Sequence, residues 1–173
     1  MKKLRSPHLV DNMQNEKNDI FQVIQDERNG VASIHTAFQN FPEGVSAHYQ
    51  LYKQILLADG LPLSRAEREL LAVKTSEANK CPYCIGHHQS ALNNQTPNSI
   101  TQDRADALQN LAETLTLAMW KASALKESFL AVGFSEAEWQ HAVMVVSYFN
   151  FVNRCAHAMD LELEENYQVT CGN

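Results

Sequence analysis

No proline follows Pro97, so the last 76 of the chain's 173 residues lack the residue that ends a helix most sharply. Glycine is sparse too. Six Gly and five Pro are scattered through the whole chain, about half the usual share. Sandwiches and small barrels depend on Gly- and Pro-rich turns between short strands. This chain therefore reads as all-α, with long helices. Its length points to one domain, and a 45% hydrophobic content supplies an ordinary core.

The start and stop signals agree. Residues 1–18 are polar and charged and read as an N-terminal arm. A helix is expected over 19–28, stopped by Asn29-Gly30. Val31 to Phe41 carries apolar residues three or four apart and reads as a helix or a lid-like connection ending before Pro42. Val45 to Ala58 repeats the helical spacing. Ser64-Arg65-Ala66-Glu67 is a capping box, opening a helix to about Asn79. Pro82 suits a first helical position, so another helix is expected from Pro82 to about Asn93. A loop follows through Pro97. A short helix over 101–110 is expected to precede or run into a longer one reaching Val132, ended by Gly133. Ser135 and Glu138 form a second capping box, with Phe134 and Trp139 placed as a hydrophobic staple. The helix it opens, to about Met159, is apolar at Trp139, Val143, Val146 and Phe149 and again at Met144, Tyr148, Val152 and Cys155. Such a helix is expected to be covered on both sides, inside the domain or at a subunit interface. The helical domain is thus drawn over 19–160, with 161–173 as an acidic tail.

Composition removes several functions. A net charge of −6 argues against a general nucleic-acid binder, which needs a basic face. No apolar run approaches the roughly 18 residues of a membrane span. The N-terminal segment lacks the apolar stretch of a signal peptide, so a cytoplasmic location is expected. The glycines form no phosphate-binding loop, and no cofactor is expected. Four cysteines are too few for a disulfide scaffold in a chain of this size. Two of them, Cys81 and Cys84, lie close together, which in a reducing compartment points to redox chemistry or metal binding.

Cys81-Pro82-Tyr83-Cys84-Ile85-Gly86-His87-His88 is the chemically informative stretch. With a helix starting at Pro82, Cys81 is the cap and Cys84 lies in the first turn. There the free amides and the positive end of the helix dipole favour a thiolate. The two-residue spacer also lets the sulfurs meet. His88 is one turn beyond Cys84 on the same face and can take its proton. His87 is three residues away and geometrically eligible. Zinc would need Cys81, Cys84, His87 and His88 together, crowded onto little more than one turn of helix, and no metal is expected.

At these residues the chain resembles a family. Glu69, eleven residues, Cys81-x-Tyr83-Cys84, three residues and His88 match the signature of the AhpD-like alkylhydroperoxidases of the carboxymuconolactone decarboxylase superfamily. The likeness is to the peroxidase-related members. It extends to Ser147-Tyr148-Phe149-Asn150-Phe151-Val152-Asn153-Arg154 and covers most of residues 30–165. The resemblance implies an AhpD-like helical bundle that assembles as a homo-oligomer, trimeric or hexameric. It implies that Cys84 attacks the peroxide and becomes a sulfenic acid, and that Cys81 resolves it as a disulfide. His88 would accept the thiol proton and Glu69 would orient that histidine. The best-known peroxidases of the family carry a second histidine between the cysteines, where this chain has Tyr83. The implied partners are a peroxide and an external dithiol or reductase protein.

Plainer roles stand beside these. Tyr83 reads by default as a packing aromatic, and Tyr83 and His87 are accessory candidates only. Glu69 taken alone is an ordinary helix carboxylate. His35, His48, His141 and His157 have no sequence partner. Cys155 reads as a buried apolar residue, Cys171 as a free thiol in the tail, and Trp120, Trp139 and the methionines as core or interface. A thiol-dependent peroxidase is the leading function. A disulfide oxidoreductase and a non-catalytic redox-sensing oligomer use the same pair. A lactone decarboxylase leaves the cysteines unexplained.

Overall fold

The computed structural model describes residues 20–96 and 99–168, which leaves the N-terminal arm, Pro97 and Cys171 outside it. Among the described residues the regular structure is helical, without strands. Helix α1 spans residues 20–28 and stops at Asn29, whose φ of 57° turns the chain. The stretch that follows is mostly connection, with one short turn of helix, α2 (Ser33–Thr36). Helix α3 (Pro42–Tyr52) starts earlier than the apolar spacing indicates, because Pro42 occupies its first turn, where no amide hydrogen bond is lost. It widens into a π-helical turn over Lys53–Leu57.

Helix α4 (Arg65–Ala78) begins at the expected capping box: the Glu67 amide donates to Ser64 Oγ at 3.3 Å and the Ser64 amide to Glu67 Oε2 at 2.9 Å. Helix α5 (Pro82–Asn93) follows across a three-residue connection in which Lys80 takes a φ of 54°. Helix α6 (Gln102–Leu117) is longer than its first segment suggested, and it does not run through to Val132. The chain breaks at Ala118 (φ −147°, ψ 53°), winds through a 3-10 segment (Met119–Leu125) and resumes as α7 (Lys126–Ala131). The break lets α6 lie on α4 and α8 while α7 folds back against α8. It carries no Gly or Pro, so tertiary packing produces it. Gly133, at φ 98°, ends α7, and the second capping box opens α8 (Glu136–Ala158). Phe134 and Trp139 both pack on the Phe129 ring.

The core lies where α4 meets α5, α6 and α8. Leu56, Leu63, Leu71, Leu108, Leu111 and Phe149 are fully or almost fully removed from water there, each worth about 1.5–3 kcal/mol by its apolar surface. One face of α8 is buried through Ala142, Val145, Val146, Phe149 and Val152. Of the second apolar set, Tyr148 and Val152 are buried as well, whereas Met144, like the neighbouring Phe151, is exposed on the single chain. Trp120 is likewise largely exposed rather than core.

Arg104 joins the two capping boxes. Its guanidinium bonds Glu67 Oε1 at 2.7 Å and Glu138 Oε1 at 2.6 Å and lies over the Phe134 ring. One α6 cation thereby fixes the N-termini of α4 and α8 relative to each other. That holds the two helices that carry Glu69 and Tyr148. No helix of the described residues is long and apolar enough to cross a membrane.

Candidate active site

The turn between α4 and α5 builds the site. The Cys81 amide donates to the Ser76 carbonyl at 2.9 Å, which folds the chain back before Pro82 starts α5. Cys81 is the N-cap residue and Cys84 lies in the first turn, as the spacing predicts. Both are buried free thiols, and the Cys84 side chain hydrogen-bonds the Cys81 sulfur. That hydrogen bond pulls the Cys81 pKa down to about 6, against the opposing effect of burial. The same bond and burial push Cys84 up. The two sulfurs behave as one unit: the first proton leaves readily, and a second charge beside it is disfavoured.

Asn153 is a neighbour that sequence reasoning did not single out. It is fully buried on α8, hydrogen-bonds Cys84, and is tied to the α4–α5 turn through Ser76 and Asn79. An amide inside an otherwise apolar helix face was the available signal.

Glu69 and His88 meet as expected. Glu69 is fully buried on α4. Its Oε2 lies 2.7 Å from His88 Nδ1, and its Oε1 accepts from Arg65 Nε at 2.7 Å. Burial raises its pKa, but the charges and hydrogen bonds of His88 and Arg65 outweigh that and hold it below its ordinary value. With Nδ1 engaged by a carboxylate, Nε2 is the nitrogen left for proton exchange. The His88 ring stands edge-on to Phe149, 4.6 Å between centroids, which fixes its plane.

Tyr83 and His87 share a second carboxylate, Glu164, which lies past the end of α8. Its Oε2 is 2.8 Å from His87 Nε2, and its Oε1 accepts from Tyr83 Oη at 3.2 Å and from the Ser33 amide at 2.5 Å. Burial opposes the charge, yet hydrogen bonds from His87 and Ser33 hold Glu164 well below the usual carboxylate range. Tyr83 Oη in turn accepts from the Ile34 amide at 3.1 Å. Tyr83 is thus a hydrogen-bonded junction between α2, α5 and the C-terminal segment. Gly86 faces that segment as well: a Cβ placed there would lie 2.5 Å from Leu163 Cδ2.

A cavity of about 70 Å³ opens beside Cys84, room for a few waters or a small polar head. Cys84, His87 and His88 border it, whereas Cys81 is not among its walls. Aromatic rings supply much of the rest: Tyr49, Tyr52, Tyr83, Tyr148 and Phe149. His35 and His48, which the sequence left as ordinary, line it too. Burial holds both neutral, lowering His35 to about 3 and His48 to about 4. Among the described residues no group of three or more His, Cys, Asp or Glu side chains is arranged to hold a metal.

The model of the carboxymuconolactone decarboxylase family matches residues 44–126, a span that contains Glu69, Cys81, Cys84 and His88. No curated protein gives a significant match. Among solved structures, an uncharacterised peroxidase-related protein from Silicibacter sp. is similar with a TM-score of 0.78 and 24% identity, covering 89% of this chain and 87% of its own. An alkylhydroperoxidase AhpD core protein from Ralstonia eutropha, also described as an uncharacterised peroxidase-related protein, gives 0.74 and 22%, over 91% and 89% of the two chains. The debrominase Bmp8 gives 0.63 and 18%, over 90% of each. A cysteine-to-alanine variant of Bmp8 in complex with 2,3,4-tribromopyrrole gives 0.62 and 16%, over 98% and 92%. The fold is therefore AhpD-like and all-α, and the family model that matches is that of the superfamily the spacing from Glu69 to His88 pointed to.

Proposed function

We propose that this AhpD-like protein is a thiol-dependent peroxidase. Cys84 attacks, Cys81 resolves, His88 carries the proton and Glu69 holds His88. One observation supports the reading above all: of two mutually hydrogen-bonded thiols, Cys84 borders the ring-lined cavity and lies on the same helix as a carboxylate-held histidine.

The pair gives one proton to His88, whose imidazolium Glu69 stabilises. The remaining proton lies between the sulfurs, so shifting it to Cys81 puts the thiolate on Cys84 as substrate arrives. That thiolate displaces the alkoxide, or hydroxide, from the terminal peroxide oxygen and becomes a sulfenic acid. The proton on His88 ends on the departing oxygen. The Cys81 thiol then condenses with the sulfenic acid, releasing water and closing a disulfide, which an external dithiol reduces.

The test is peroxide consumption with a dithiol reductant. Cys84→Ser is expected to abolish it, Cys81→Ser to leave one turnover, and His88→Ala to slow it by about 10²–10⁴-fold. Turnover by Cys84→Ser equal to that of the wild type would remove the assignment.

A second reading is dithiol-dependent reduction of a halogenated heteroaromatic. It is favoured by the aromatic walls around Cys84 together with the fold shared with a debrominase. Bromide release from 2,3,4-tribromopyrrole, with no peroxide consumption, would select it.

A further inference from the structure

Peroxide reduction leaves one task without a residue. The S, O and O atoms line up during displacement, so the oxygen that departs moves away from Cys84 into the cavity, where negative charge develops on it. A preorganised donor at that point lowers the barrier. Of the α5 side chains that face the cavity, His88 serves the attacking sulfur, while Tyr83 and His87 are engaged by Glu164. The donor has to come from another wall.

Tyr148 and His48 meet the requirement. Tyr148, buried on α8, and His48, on α3, both border the same cavity as Cys84. Tyr148 Oη lies 2.7 Å from His48 Nε2. The phenol ring is fixed edge-on to Phe149 and tilted against Tyr52, with centroids 5.2 and 6.2 Å away. A phenol has one O–H to donate and two lone pairs. With His48 Nε2–H donating to one lone pair, the O–H is left to turn into the cavity. His35 sharpens the case. It is 7% exposed, and its Nδ1 is buried with no hydrogen-bond partner among the described residues. Its ring lies 5.2 Å from that of His48. A polar corner with an unmet hydrogen bond, inside a cavity otherwise walled largely by rings, is built to receive an oxygen-bearing ligand.

We propose that the Tyr148 hydroxyl, oriented by His48, donates a hydrogen bond to the oxygen leaving the peroxide. It is then a catalytic residue of the reaction, and His48 is its positioning residue. This rests on the peroxidase reading above. The balance is unchanged: the thiol proton reaches the alkoxide through His88, the sulfur is oxidised to the sulfenic acid, the peroxide is reduced to alcohol, and Tyr148 keeps its own proton. Burial supports this role. It raises the Tyr148 pKa far above the ordinary phenol value, so the group stays an O–H donor at working pH.

Leaving-group chemistry tests the assignment. An alkoxide is a poor leaving group that needs the donor, whereas the carboxylate leaving a peracid does not. Single-turnover oxidation of Cys84 is measured with tert-butyl hydroperoxide and with peracetic acid. Tyr148→Phe is expected to slow the first by about 10²-fold and to leave the second within about threefold. His48→Leu should behave alike, and His48→Gln, which keeps an N–H, should recover part of the loss. Because the His48 variants report on the same donor, a misfolded Tyr148→Phe does not close the question. Equal losses with both oxidants would overturn this proposal alone. A wild type that consumes neither oxidant would overturn the peroxidase reading and this proposal with it.

Discussion

The molecule holds two adjacent histidines with two glutamates, and the two pairs are anchored differently. Glu69 is fully buried in the body of α4, and both its oxygens meet cationic or protonatable groups, Arg65 and His88. Glu164 belongs to the segment after α8. Its side chain is 28% exposed, and besides His87 its partners are the Tyr83 hydroxyl and the Ser33 amide. The Glu69–His88 pair is set by helices packed on each other and fixes the orientation of His88 in the wall of the cavity that Cys84 shares. The Glu164–His87 pair is set by a returning segment and ties three pieces of backbone over α5. Similar side-chain chemistry thus has two settings: under the proposed function one positions a proton, while the other ties separate segments together.

The largest expected effect breaks the buried pair. Glu69→Ala leaves Arg65 and His88 facing an empty site and should cost about 3–5 kcal/mol in chemical denaturation. Glu69→Gln keeps the shape but no longer stabilises the imidazolium, and should slow peroxide turnover by about 10²-fold or more. Glu164→Gln should cost less, about 1–2 kcal/mol, and leave single-turnover oxidation of Cys84 within several-fold of wild type. A Glu164→Gln variant as inactive as Glu69→Gln would erase the distinction between the pairs.

Gly86→Ala comes next. The new methyl meets the flexible end of Leu163, so a cost of about 1 kcal/mol is expected. Leu163→Ala should relieve it in a double-mutant cycle; independent effects would contradict the contact.

A further expectation concerns pH. Glu164 is held below its ordinary value, so its contribution is present above the usual carboxylate range and is lost as pH falls through and below it. His35 and His48 are also lowered, so the unfolded chain takes up their protons first. Stability should therefore fall as pH drops from about 6.5 towards about 4, the value His48 reaches when folded. Glu164→Gln should flatten the lower window and His48→Gln the upper one, as read in denaturation midpoints.

The legible features were local ones. Both capping boxes, the Pro82 start and the helix carrying Cys84 and His88 follow from residues within a turn of one another. Glu69 stands out in the sequence only through the family spacing to the cysteines; taken alone it reads as an ordinary helix carboxylate. Glu164 was read as part of an acidic tail, since a contact to Ser33 across 131 positions leaves no periodic trace. The break at Ala118 was missed for a related reason: no Gly or Pro marks it, and only packing demands it. The close approach of Leu163 to Gly86 likewise leaves no local trace in the sequence. His35, His48 and Tyr148 come from α2, α3 and α8, and only the assembled bundle brings them to one cavity.

Which sulfur takes the oxygen is the most direct test of the proposed chemistry. Mass spectrometry after one equivalent of hydroperoxide, on the wild type and the two single cysteine variants, decides it. The account predicts an internal Cys81–Cys84 disulfide in the wild type, a trapped oxygen on Cys84 in Cys81→Ser, and no oxidation at either position in Cys84→Ser. Oxidation of Cys81 in Cys84→Ser at the wild-type rate, or a wild type with both thiols intact, would contradict it.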